Sequence, residues 1–164
     1  ADLNSPRTSS TGRFLDAVSS LLGVCVDRTY EGEPAMKLES VARKGDYHTF
    51  ELPYSGNNLD QTKMLLYLIS MLDDFSVEDI AATAQWAIAE GLVSVALDIA
   101  EKEGMNFIGL SGGVAYNDFI SGYIKDRVEN SGYEFMSNQV VPPGDGGVAF
   151  GQLRVASDRM NGQL

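Results

Sequence analysis

Between Ser76 and Gly104 the apolar residues keep to one spacing. Ile80, Ala84, Ile88, Leu92, Val95 and Ile99 follow one another at steps of four and three, the period of one face of an α-helix. Ser76-Val77-Glu78-Asp79 reads as a capping box at its start, and Gly104 closes it with a residue that accepts a left-handed backbone. This is the longest helix the sequence implies, and the other elements have to be fitted to it. Trp86 falls off the stripe; it either packs on a neighbouring element or marks a contact surface.

Shorter segments precede it. Thr8-Ser9-Ser10-Thr11-Gly12 supplies hydroxyl caps. They introduce a first helix with the stripe Phe14, Val18, Leu21 and Leu22, Leu15 on its flank and Asp16 on the opposite face. On spacing alone Asp16 reads as part of a solvated surface. Tyr30-Glu31-Gly32-Glu33-Pro34 is a turn into a second helix, Ala35 to Arg43. Tyr47 to Tyr54 reads as a strand with a structural His48 near its start, and Gly56-Asn57-Asn58 as a turn. Asp60 to Leu72 is a third helix bearing Met64, Leu65, Leu68 and Leu72.

The chemistry gathers in the last third. Asn106-Phe107-Ile108-Gly109-Leu110 is a short apolar run with the character of a buried strand. It breaks at Ser111-Gly112-Gly113 into a helix whose apolar face is Phe119, Ile120, Tyr123, Ile124 and Val128. Paired glycines at such a junction let backbone N–H groups approach an anion, and the helix N-terminus adds partial positive charge. The geometry suits a phosphate, although the phrase matches neither a Walker loop nor GxGxxG. Asn117 caps that helix or faces a ligand held over the loop. Tyr133 to Met136 reads as another strand, and Val148 to Arg159 as a closing helix. Between them lies Pro142-Pro143-Gly144-Asp145-Gly146-Gly147. Asp145 is either an ordinary N-cap or one oxygen ligand of a cation brought close to a backbone bare of side chains.

Composition narrows the function classes. The net charge of −11 and a pI near 4.4 argue against direct nucleic-acid binding, which needs clustered Lys and Arg. Hydrophobic residues at 44% and charged ones at 21% suit a folded core. The run Met64 to Leu72, interrupted by Ser70, is too short to span a bilayer. One Cys excludes an internal disulfide, and one His argues against a protein-only zinc site. Cys25 reads as a small buried hydrophobe. No basic start followed by an apolar stretch marks a signal peptide, and a reducing, cytoplasmic setting is expected. The first residue is Ala1 rather than Met, so a processed or excised piece is expected as well.

Four phrases taken together resemble a known family. They are Asn4 to Ser10 with Gly12 to Val18, Tyr30 to Glu33, Leu110 to Val114 with Asn117, and Pro142 to Gly147 with Gly151-Gln152. In that order, and over nearly the whole chain, they are similar to the C-terminal part of the HypF family, the carbamoyltransferases of nickel–iron hydrogenase maturation. A more distant likeness is to the TsaD-type threonylcarbamoyl transferases of tRNA modification.

The resemblance implies a helix-rich α/β fold. It would be a single lobe of the ASKHA architecture (actin- and Hsp70-like, ribonuclease H-like) with a small sheet flanked by helices. Residues 1–164 would form one domain, the C-terminal lobe of a HypF/TsaD-like carbamoyltransferase domain. Its ligand would be ATP or carbamoyl-adenylate, with a divalent metal of Mg or Fe/Zn type. The carbamoyl group would pass to the C-terminal Cys thiolate of HypE. By the same resemblance Ser111, Gly112 and Gly113 would approach the phosphates. Asp16 and Asn117 would hold the adenosine, Asp16 at the ribose hydroxyls. Glu31, Gly32 and Glu33 would line the cleft, and Asp145 would be the metal ligand.

The family's paired metal-binding histidines, its acylphosphatase-like, zinc-finger-like and YrdC-like domains, and its frequent His near position 85 are not in this sequence, which has Gln85. The chain alone is therefore expected to be incomplete or inactive. Its implied partners are the missing N-terminal lobe or upstream domains, a HypE-like acceptor, and a second copy of itself, with no direct nucleic acid and no membrane. The runner-up readings are a non-catalytic ATP-binding or partner-binding lobe, and TsaD-like threonylcarbamoyl transfer. Tyr30-Glu31-Gly32-Glu33 favours the HypF branch over the latter, which more often reads Tyr-Pro-Gly-Gly.

Overall fold

A computed structural model describes residues 8–162. Their elements are α1 (Thr11–Leu21), α2 (Glu33–Ala42), β1 (Tyr54–Ser55), β2 (Asn58–Leu59), α3 (Gln61–Ser70), α4 (Val77–Glu103), β3 (Phe107–Leu110), a 3-10 turn (Gly113–Tyr116), α5 (Asp118–Asn130), β4 (Glu134–Ser137) and α6 (Asp145–Met160). The fold is helix-rich α/β with little sheet. Contacts divide it into two compact units, parting between Val95 and Ala96 inside α4.

In the first unit, Ser10 caps α1 by accepting the Arg13 N–H on Oγ at 3.4 Å. Phe14, Leu15, Val18 and Ser19 are buried while Leu21 is exposed, so the apolar face centres nearer Leu15 than the spacing alone predicts. α1 packs on α2. The latter starts two residues before the expected Ala35, with Gly32 as N-cap at φ +80° and Pro34 in the first turn, where no N–H is needed. α3 is capped by the Asp60 carboxylate, which accepts the Lys63 N–H at 3.1 Å.

α4 departs from the one-faced helix its stripe predicts. Ile80 to Ala89 are buried on every side, whereas Leu92 and Ile99, both on the stripe, are 40% exposed. The reason lies in Ala81, Ala82, Ala84, Ala87 and Ala89, whose small side chains let neighbours close round the helix. Trp86 packs inside, stacked on Tyr47 with ring centroids 5.9 Å apart and edge-on to Phe50 at 5.6 Å. By length and composition α4 could cross a membrane, yet 67% of its most apolar window is buried within the protein, as befits a core helix.

The strand expected at Tyr47–Tyr54 does not form. Only Tyr54–Ser55 pair, antiparallel with Asn58–Leu59 across the predicted turn. The preceding residues run extended along α4, where the Asp46 and His48 amides donate to Asp79 Oδ1 and Thr83 Oγ1, each at 2.9 Å. Acceptors one helical turn apart thus do what a neighbouring strand would otherwise do.

The second unit is a βαβ crossover. β3 and β4 pair in parallel from Phe107↔Glu134 to Leu110↔Ser137, linked through the 3-10 turn and α5, as parallel strands require. Ile108, Ile120, Ile124 and Val128 are buried. No residue of α6 is buried, and Val148, Phe150, Leu153, Val155 and Met160 are exposed.

Candidate functional site

The two glycine turns of the second unit meet. Beyond β3 the backbone at Gly112 takes φ +104° and ψ 172°, a region that side-chain-bearing residues rarely occupy. The Gly112 N–H donates to the Pro143 carbonyl at 2.8 Å, and the Ser111 hydroxyl donates to the same oxygen at 3.4 Å. Gly144 is buried beneath Tyr116; a Cβ there would stand 2.7 Å from Tyr116 Cε2. The Gly147 N–H donates to the Gly144 carbonyl at 2.9 Å, and a Cβ on Gly147 would lie 2.4 Å from the Pro142 oxygen. Gly112 is thus required by its backbone angles, Gly144 by the Tyr116 ring over it and Gly147 by the close Pro142 carbonyl. Beside the turns is an open hollow of about 420 Å³, bordered by Ser111, Asn138, Pro142, Pro143, Gly147 and Phe150 among others.

Two helices start at these turns. Asn117 is buried and caps α5, its Oδ1 accepting the Ile120 N–H at 2.9 Å. α6 is different: Gly144 is its N-cap with no side-chain bond, and Asp145 stands in the first turn with its residue exposed. Asp145 is therefore not the N-cap. Its negative charge is favourable at that end of a helix.

The acidic candidates of the first unit fall into two groups. Asp16 and Glu31 are drawn together by Arg13, whose Nη1 lies 3.1 Å from Asp16 Oδ2 and whose Nη2 lies 3.2 Å from Glu31 Oε1. Arg28 holds the other Glu31 oxygen at 3.0 Å. Glu33, by contrast, is buried. It accepts the Thr29 N–H and hydroxyl on one oxygen and pairs with Lys37 Nζ at 2.8 Å on the other. The Lys37 ammonium, followed by the two Thr29 donors, holds its carboxyl down at about 2. Glu33 clasps the turn before α2, and Gly32 at φ +80° supplies the bend.

Among the described residues no three His, Cys, Asp or Glu side chains converge as a metal-ligand set. Asp145 is one carboxylate, and a hard cation takes six or more oxygens, so the described residues do not by themselves assemble a full ligand set around it. Three participants escaped the reading of the sequence: Arg13, Tyr116 and the Pro143 carbonyl. Arg13 and Asp16 could have been paired from their i, i+3 spacing; nothing in the sequence signals the return of Glu31 to α1.

Known proteins share this architecture. The family model described as the carbamoyltransferase, Kae1-like domain, second subdomain matches residues 1–152. The probable carbamoyltransferase HypF of Methanocaldococcus jannaschii is 46% identical over 92% of this chain, which spans 20% of that protein. The crystal structure of HypF from T. kodakarensis superposes with a TM-score of 0.88 at 38% identity, covering 99% of this chain and 21% of that one. Full-length HypF in its phosphate- and nucleotide-bound form gives a TM-score of 0.80 at 30% identity, over 93% of this chain and 21% of that one. The chain thus spans about a fifth of the length of these relatives.

Proposed function

This chain belongs to the HypF family of carbamoyltransferases, as the second subdomain of the Kae1-like domain, and from that premise we propose that it is the lobe that holds the nucleotide side of carbamoyl-adenylate. In this reading the carbamoyl group goes to the C-terminal Cys thiolate of a HypE-like acceptor in hydrogenase maturation, in the cytoplasm. The sulfur attacks the carbamoyl carbon, the bond from that carbon to the phosphate oxygen breaks, and AMP leaves with the electron pair. The lobe's share of the work is positioning: a bound acyl-adenylate held in line for the thiolate gains by proximity rather than by acid–base chemistry.

The observation that carries this reading is the closure of the two turns through Gly112 and Pro143, in a chain whose relative is known in a phosphate- and nucleotide-bound form. The turn Ser111-Gly112-Gly113 takes the phosphates: the Ser111 hydroxyl and the Gly112 N–H, both spent on the Pro143 carbonyl, fix its shape, and the helix start beyond it suits the phosphate charge. Asn117, at the start of that helix, takes the adenosine. Asp145 offers one oxygen to a divalent cation whose other ligands come from the nucleotide and from protein beyond this chain.

Isothermal titration with ATP and Mg²⁺ tests the reading, on the chain alone and mixed with the first subdomain of a HypF Kae1-like domain. Binding is expected in at least one sample, and Gly112→Ala is expected to abolish it by forbidding the turn. Absence of binding in both would sink the reading.

The exposed apolar residues of α6 favour a second reading, a partner-binding lobe without chemistry of its own. Apolar surface of that kind is normally covered. ATP binding would set this reading aside, and a strictly monomeric chain at high concentration in light scattering would argue against self-association.

A further inference from the structure

We propose that α3 is a dimer face, on which a second copy of this chain docks its own α3 antiparallel. The inference stands apart from the nucleotide reading and does not rest on it.

α3 has two apolar sides. Met64 and Leu68, with Met71 just beyond them, are buried. Leu65, Ile69 and Leu72 recur at steps of four and three, a second stripe about 100° round the helix from the first. Ile69 and Leu72 are 41% and 42% exposed, and Leu66 beside them 59%. A helix on a protein surface normally presents polar residues on its outer side, and apolar surface of this kind is normally covered.

The charges at the two ends select the occupant. Lys63, near the start, is 68% exposed and pairs with Asp60 only loosely, at 3.5 Å. Asp73 and Asp74, just past the end, are exposed and have no ion-pair partner among the described residues. A base at one end and acids at the other make the face self-complementary when two copies run antiparallel. A two-fold axis through the middle of the helix, between Leu68 and Ile69, puts Lys63 of each copy opposite Asp74 of the other. The same axis puts Leu65 opposite Leu72 and brings the two Ile69 residues together. Charged and apolar residues thus agree on one register, as an isologous contact requires. At a net charge of −11 two copies repel at a distance, so a contact between them has to bring opposite charges together locally, and this register supplies two such pairs. A basic partner of another kind would match the acids but set its own charge against Lys63.

The face is one short helix, so the dimer belongs with the small, transient interfaces. Sedimentation velocity of the chain at loadings from about 1 μM to 1 mM tests it. The wild type is expected to pass from monomer to dimer across that range. Ile69→Lys, which sets two like charges at the axis, is expected to stay monomeric with unchanged circular dichroism. Leu153→Lys, on the exposed surface of α6, is expected to dimerise like the wild type. Lys63→Glu and the double variant Asp73→Lys/Asp74→Lys should each weaken dimerisation on the order of tenfold, because each sets like charges opposite one another. An equimolar mixture of those two variants should recover it, since every charge then meets its opposite. A wild type that stays monomeric throughout, a dimer that survives Ile69→Lys or is lost in Leu153→Lys, or a mixture no tighter than its components would overturn the proposal. Should Ile69→Lys not fold, the mixture decides.

Discussion

Both oxygens of the Glu33 carboxylate are engaged, by Lys37 on one side and by Thr29 twice on the other. Its folded value of about 2 lies below the ordinary 4.5, so the unfolded chain takes up the proton first as acid is added. The stabilisation is therefore complete above pH 4.5 and is lost as the pH falls from there toward 2. The urea midpoint of the wild-type chain should drop across that window, and Glu33→Gln should flatten the drop while lowering the midpoint at pH 7; parallel curves for the two proteins would refute the assignment. Asn117 poses a different question, because its Oδ1 already caps α5. Asn117→Ala should cost about 1–2 kcal/mol by loss of the cap. Asn117→Ser preserves a capping oxygen and should restore the melting temperature, yet it should weaken ATP by about tenfold if the side-chain amide also touches adenosine, the worth of one hydrogen bond. A serine variant that binds ATP like the wild type would leave Asn117 as a cap alone.

At the scale of elements, glycines mark where segments press together. A Cβ on Gly45 would come within 2.3 Å of the Glu78 carbonyl carbon, and one on Gly91 within 2.3 Å of Leu59 Cδ2. The distances match but the obstacles differ. Backbone at the start of α4 cannot yield, so Gly45→Ala should cost about 1–3 kcal/mol or more. The end of a leucine side chain can rotate, and alanine favours a helix over glycine by about 1 kcal/mol, so Gly91→Ala should fall near zero. Equal losses in chemical denaturation would contradict this account. The same contrast explains what could be read from the sequence. The helices α1, α3, α4 and α5 were legible because their apolar residues recur at helical steps, and the turns at 111–113 and 144–147 because glycine has few other uses in such clusters. The extended run from Tyr47 was not, because its backbone partners are the side chains of Asp79 and Thr83, which no local pattern announces. The Arg13 bridge was hidden for a like reason: it depends on α2 packing on α1, a long-range contact. Burial of α4 on all sides was missed because alanine looks neutral in a stripe and acts as a core residue only when neighbours approach.

Across the whole molecule the buried apolar side chains are shared unequally. Phe14, Leu15, Val18, Leu38, Met64, Leu68, Met71 and the stretch Ile80 to Ala89 serve the first unit. Among the described residues the second has Ala100, Ile108, Ile120, Ile124 and Val128, and α6 adds none. Burial is the main source of stability, and regions with few buried contacts open first. Amides of β3, α5 and α6 should therefore exchange with solvent faster than those of the first three turns of α4, although both sets are hydrogen-bonded. Trp86, the sole tryptophan, lies in the first unit and gives a second probe. Its fluorescence should report a higher urea midpoint than far-UV circular dichroism, which averages over both units, and non-coincident transitions are the mark of a chain that does not unfold in one step. Addition of ATP should then raise the circular dichroism midpoint more than the fluorescence midpoint, since ligand acts on the unit whose turns it closes. Coincident curves would refute the unequal stability of the two units, and a nucleotide shift confined to Trp86 would place the phosphate-binding role outside the second unit.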